Sequence, residues 1–162
     1  MTPKRNAIQR LIQRIAMLHP VTTFFAGRLH RMDGMALKLT KGKYALSEIA
    51  GWPVIQLSTI GAKSGKTYTL PLIGLLGEEK IALVASSFGR EHNPGWYYNL
   101  KACPQCTVQF KGTTAEYTAR EAHGEEYEKY WRMAVSYYKG YELYAQRAAH
   151  RRIPIMILRP GK

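Results

Sequence analysis

At 162 residues, 46% apolar, with eleven tyrosines and two cysteines, the chain has the composition of one packed domain. A chain of this length buries roughly two thirds of its unfolded surface, which excludes a disordered tail and a disulfide-stapled miniprotein. The net charge of +13 is front-loaded, with eleven Lys/Arg against Asp33 and Glu48 in residues 1–77 (+9) and thirteen against nine acids in the rest (+4), so the first half favours an anionic partner: nucleic acid, an anionic membrane surface or a phosphorylated small molecule.

Ile8, Leu11, Ile12, Ile15 and Leu18 keep helical spacing, with Arg5, Gln9, Arg10, Gln13 and Arg14 opposite and Pro20 ending the run. This predicts a basic amphipathic helix that packs on its own domain or, through residues 4–18, lies on a membrane surface. A second short helix is expected over 23–32, capped by Thr22, so that residues 1–32 form a helical extension of a single domain covering 1–162. No apolar run reaches the ~18 residues of a membrane span, and the expected location is the cytoplasm.

From Pro53 the period changes to that of strands: "VIQLST", then "GAKSGKT", then "TYTLPLIGLL", a Gly-Glu-Glu turn, and "KIALVASS". Neighbouring strands joined by short turns run antiparallel. Asn93-Pro94 predicts a helix start, Asn capping and Pro in the first turn, through "GWYYNLKA". "TVQFKG" and "TTAEYTARE" read as a hairpin about Lys111-Gly112. After Gly124, Tyr127, Tyr130, Trp131, Ala134, Val135 and Tyr138 are helically spaced; Gly140 interrupts, and Tyr141, Tyr144, Ala145 and Ala148 resume. "RRIPIMILRP" closes as a strand, with Pro154 placing it at an edge or a strand start. The sum is an α+β domain, mostly antiparallel, on a small barrel.

"GAKSGKT" ends like a P-loop, but it is one residue short between its glycines, and the segment after it is a strand with Pro71 inside, not a helix. The segment is either an anion-holding turn, in which backbone N–H groups and Lys63 and Lys66 face a phosphate, or a solvated hairpin turn. Cys103-Pro-Gln-Cys106 has redox spacing but stands where a helix ends and a strand begins, so neither redox nor metal work is expected of it. Signatures of Rossmann dinucleotide binding, serine hydrolysis and zinc proteolysis are missing, which leaves the hard chemistry of any enzyme here to a cofactor. Tyr138, Tyr141 and Tyr144, at i, i+3 and i+6, share one broad helical face and form either a pocket wall or aromatic packing with hydroxyls reaching the surface.

Four motifs in order, "STIGAKSGKTYTLPL", "LVASSFG", "NPGWYYNLKACP" and "YYKGYELYAQRAAHRRIPIMIL", make the chain resemble the deazaflavin-dependent nitroreductase family of split β-barrel oxidoreductases over about residues 50–160. The resemblance implies coenzyme F-420, with Gly61, Lys63, Ser64, Gly65 and Lys66 holding its phosphate and oligoglutamate tail. Leu70, Pro71, Leu72, Ala85, Ser86 and Ser87 would flank its ring, and Trp96 and Asn99 would brace the pocket. Tyr138, Tyr141 and Tyr144 would close the substrate side, with a phenol or Ser86 orienting or protonating an acceptor oxygen. The implied reaction passes hydride to an electron-poor acceptor such as a quinone, enone or nitroaromatic. This chain departs from the family pattern at Ala62 and near Tyr68, where arginine is usual, and at "ASSFG", where Ser87 and Phe88 replace a Lys-Gly-Gly and narrow the site. Alternatives are a split-barrel carrier of a fatty acid or other lipid, haem or FMN. A nucleic-acid partner is not expected, because aromatic and basic residues do not interleave as on a base-stacking surface.

Overall fold

The computed structural model describes residues 51–161, together with residues 9, 32–36 and 39–40. The helices expected over 8–18 and 23–32, and membrane contact through 4–18, lie outside the described residues apart from Gln9 and Met32. The chain forms β1 (Val54–Ile60), β2 (Thr67–Ile73), β3 (Leu75–Leu76), β4 (Ile81–Val84), a turn at Ser87–Gly89, α1 (Gly95–Ala102), β5 (Gln105–Phe110), β6 (Thr113–Glu121), α2 (Gly124–Tyr137), α3 (Gly140–Arg147) and β7 (Ile155–Pro160).

Every strand pairing is antiparallel, in the order β2-β1-β5-β6-β7-β4-β3. The two ends of that order, β2 and β3, are separated in the chain by Gly74 alone. The sheet therefore curls until its two end strands lie next to each other at Gly74, although no ladder joins them. Gly74 makes the corner: its N–H donates to the Pro53 carbonyl at 2.9 Å, and a Cβ there would press on Ile55 and Ile81 methyls at 3.1 and 3.2 Å. The single strand expected over 67–76 is split for this reason. The architecture is an α+β split β-barrel.

Side-chain alternation sorts the apolar residues into two cores. Ile55, Leu57, Ile81, Leu83, Ala85, Cys106, Val108, Ala119, Met156 and Leu158 fill the barrel, and Trp96 and Leu100 of α1 join them. The opposite face of the same strands supplies Leu75, Ala82, Ile155 and Ile157, which pack under Tyr127, Tyr130, Ala134 and Tyr137 of α2 and under Tyr141 and Tyr144 of α3. Strand β7 is buried on both faces, and each such Ile or Leu contributes about 1.5–3 kcal/mol.

Of the two places open to Pro154, an edge or a strand start, the structure has the strand start: it precedes β7, which is central, between β6 and β4, and a proline ahead of the first ladder residue withholds no ladder N–H. One expectation needs correction. Asn93 does not cap α1. Pro94 occupies the cap position in extended backbone, without a side-chain capping bond, and the Asn93 carboxamide accepts from Arg151 instead.

Candidate active site

The turn between β1 and β2 is held from within and from α1. Gly61 N–H donates to Lys66 O and Gly65 N–H to Gly61 O, both at 2.8 Å. Lys66 N–H donates to Ser64 Oγ at 3.3 Å, and Ala62 N–H to Asn99 Oδ1 at 3.0 Å. The Asn99 amide donates in turn to Thr59 Oγ1 at 3.1 Å, so one side chain ties α1 to both the strand and the turn. A Cβ on Gly61 would sit 2.5 Å from Ser64 Oγ and 2.6 Å from the Tyr68 ring, and Gly65 has φ +67°; crowding favours glycine at the first position and backbone conformation at the second. Four amides of the turn, those of Gly61, Ala62, Gly65 and Lys66, thus have partners inside the protein, and what the turn can offer an anion is the N–H groups of Lys63 and Ser64 with the exposed Lys63 and Lys66 side chains.

Leu70 and Leu72 face the barrel core that also contains Ala85 and Trp96, and Pro71 between them is buried. Trp96 is a buried core residue. Beyond Ala85 the chain leaves β4 and makes a left-handed turn, with φ +48° at Ser87, +58° at Phe88 and +77° at Gly89. Such backbone costs about 1–2 kcal/mol at each residue that has a Cβ. The turn closes through Gly89 N–H to Ser86 O at 2.9 Å and Arg90 N–H to Ser87 O at 3.1 Å. It sets the Phe88 ring edge-on to Tyr144, centroids 5.7 Å apart. Ser86 is half-buried.

The three phenols are neighbours, but not on one continuous helix. Tyr138 sits at the joint between α2 and α3, where a Cβ on Gly140 would run into its ring. The pairs Tyr138–Tyr141 and Tyr141–Tyr144 meet edge to face at 5.8 and 6.0 Å, and the Tyr138 and Tyr144 hydroxyls lie 3.5 Å apart. All three are at most 6% exposed. Burial is the main force raising each pKa above the ordinary tyrosine value, so these phenols stay protonated and keep a proton to donate. Beside Tyr138, at 5.2 Å, stands Trp52, a residue that the sequence reading missed because it lies in no periodic run. Its indole N–H is buried and has no hydrogen-bond partner among the described residues, an arrangement that ordinary packing avoids.

The expected site residues thus fall into two groups. The turn, with Asn99, belongs to the β1–β2–α1 corner; Ser86 and Ser87 join the phenols through Phe88. Ala85 adjoins the second group and Trp96 shares α1 with the first, and both lie in the barrel core with Leu70 and Leu72. A separate groove of about 880 Å³ at the start of α2 shares no residue with either group, and its Glu126 is already paired with Arg120 and Lys80. Burial pushes the Cys106 thiol up to about 12, which suits an inert core residue. Among the described residues no group of His, Cys, Asp or Glu could hold a metal ion.

A sequence profile described as F420H(2)-dependent quinone reductase matches residues 30–160. The chain belongs to this quinone reductase family. Rv3178 of Mycobacterium tuberculosis is 32% identical over 108 residues, 67% of this chain and 90% of that protein. A solved F420-H2 dependent reductase (FDR-A) is 40% identical, with a TM-score of 0.60 over 65% of this chain and 93% of its own. A second structure, a domain-swapped dimer, is 34% identical with a TM-score of 0.63, over 77% and 94% of the two chains. The coenzyme of the quinone reductase family is F-420, and this chain is an F-420-dependent oxidoreductase. The residues fit such a group: exposed lysines on a turn without a carboxylate suit an acidic tail, and an apolar rim at Leu70 and Leu72 suits a flat ring. No described helix is long and apolar enough to cross a membrane.

Proposed function

We propose that this quinone reductase holds the F-420 tail on Lys63 and Lys66 and the ring along Leu70–Leu72 and Ala85–Ser87, and reduces its acceptor under Tyr138, Tyr141 and Tyr144. The observation that carries the reading is the contact of Phe88 with Tyr144, which joins the Ser86 turn to a cluster of desolvated phenols. Bound reduced F-420 supplies the hydride. Lys63 and Lys66 hold by charge and by the direct hydrogen bonds of an ammonium to carboxylate or phosphate. Leu70 and Leu72 keep water from the reacting face. The Tyr144 hydroxyl, protonated throughout the physiological range, donates to the acceptor oxygen as negative charge develops there; the Ser86 hydroxyl is a second donor. The same donors serve a quinone, an enone or a nitro group. The family match favours this reading over a carrier of fatty acid, haem or FMN.

With menadione as acceptor, Tyr144→Phe is expected to lower kcat by about 100–1000-fold, the range in which a single positioned donor acts, while F-420 affinity holds. Unchanged kcat in both Tyr144→Phe and Ser86→Ala would remove these side chains from the reaction.

A further inference from the structure

Arg151, in the connection from α3 to β7, makes an unusual set of bonds for an arginine. Its Nη2 donates to Ser86 O and to Arg90 O, both at 3.0 Å. Its Nε donates to Arg90 O at 3.1 Å, and its Nη1 to Asn93 Oδ1 at 2.5 Å. The adjacent His150 ring lies 3.0 Å from Glu91 O. The acceptors bracket the left-handed turn: Ser86 precedes Ser87 and Phe88, and Arg90 follows Gly89. Two residues with a Cβ persist in that backbone only where the surroundings over-determine it, and a planar guanidinium fork meets several fixed acceptors at once in a way an ammonium does not. A second anchor lies on the other side, where Gly89 packs against the Tyr144 backbone.

We propose that Arg151 is a positioning residue for the acceptor side of the site: by holding both ends of the turn it fixes the Ser86 hydroxyl and the Phe88 ring relative to Tyr144. The proposal rests on the reading of Ser86 and the phenols as the acceptor side. Ser87 and Phe88 stand where glycines would adopt this backbone freely, so the turn needs the clamp to keep one shape.

The test compares the full-length chain with Arg151→Lys, which keeps the charge and loses the fork, and with Arg151→Met. Hydrogen exchange of the Gly89 and Arg90 amides is expected to speed up about tenfold or more in both, as is appropriate to losing hydrogen bonds from a charged donor. The KM for menadione rises about tenfold, kcat falls less, F-420 affinity weakens by less than the KM rises because the tail contacts at Lys63 and Lys66 are untouched, and the Tm of Arg151→Lys stays near the parent value. If Arg151→Met does not fold, Arg151→Lys supplies both readouts. Unchanged exchange at Gly89 and Arg90 overturns the proposal; so does faster exchange with an unchanged KM, and so does a KM that rises only together with equally weakened F-420 binding and a lowered Tm, the mark of a merely structural residue. Failure of the parent enzyme to reduce menadione with reduced F-420 would instead sink the reading on which the proposal rests.

Discussion

Gly89→Ala is expected to lower the free energy of unfolding by about 3 kcal/mol or more, and Gly65→Ala by only about 1 kcal/mol, although both glycines have nearly the same backbone. Gly65 has φ +67° and nothing within 4 Å of a Cβ built on it, so alanine there meets backbone strain alone. Gly89 has φ +77°, and its Cβ would fall 2.7 Å from Arg147 Cβ, 2.8 Å from Tyr144 O and 3.2 Å from Tyr144 Cα. Two of those three atoms are backbone of α3 and have no rotamer by which to retreat. The turn must then lift away from α3, and Phe88 loses its place against Tyr144. Urea unfolding of the two variants decides the point; equal losses would mean that the turn is not pressed against α3.

The second large effect is on pH. Cys106 rises from its ordinary 9.0 to about 12, through burial first and the neighbouring Cys103 second. Tyr97 rises from 10.0 to about 12, through burial and then the hydrogen bond and charge of Glu121, to whose Oε2 it donates at 2.9 Å. Tyr138, Tyr141 and Tyr144 move the same way, mainly by desolvation. In each group the folded state holds its proton more tightly than the unfolded chain. The contribution is therefore complete below the unfolded value and is lost as pH climbs towards the folded one. Stability is expected to fall from about pH 9 upwards, with Cys106 alone withdrawing roughly 2–3 kcal/mol by pH 11. Chemical denaturation at pH 8, 10 and 11 measures this, and Cys106→Ala should flatten the early part of the fall. A profile level to pH 11 would show that these groups open to solvent at little expense.

What the sequence disclosed depended on whether the deciding contact was local. Strands β1, β5 and β6 were legible because alternation is a property of neighbouring residues, and the run at 153–158 was legible as a strand because apolar residues on both faces fit a buried one. That it is central was not, since the ladder partners of β7 come from Ile81–Val84 and Tyr117–Glu121. Asn93 obeys the local grammar of a cap, but Arg151, 58 positions away, takes its carboxamide. The charge of the 61–67 turn was plain, whereas the orientation of its amides was not, because Asn99, 37 positions on from Ala62, takes one of them and the turn's own atoms take others. Tyrosine spacing foretold the phenol cluster but not the break at Gly140 that bends it. Nothing in Ser87-Phe88 announces left-handed backbone, and nothing around Trp52 announces an indole N–H without a partner among the described residues.

Charge on the turn is the claim on which the rest stands, and it is tested by titrating F-420 into the parent protein and into a Lys63→Ala/Lys66→Ala variant at low and high salt. With about 1 kcal/mol for each exposed cation, the variant should bind about thirtyfold more weakly, and the parent's affinity should fall with salt while the variant's changes little. Equal affinity in the two proteins, or binding by the parent that is indifferent to salt, would contradict the account.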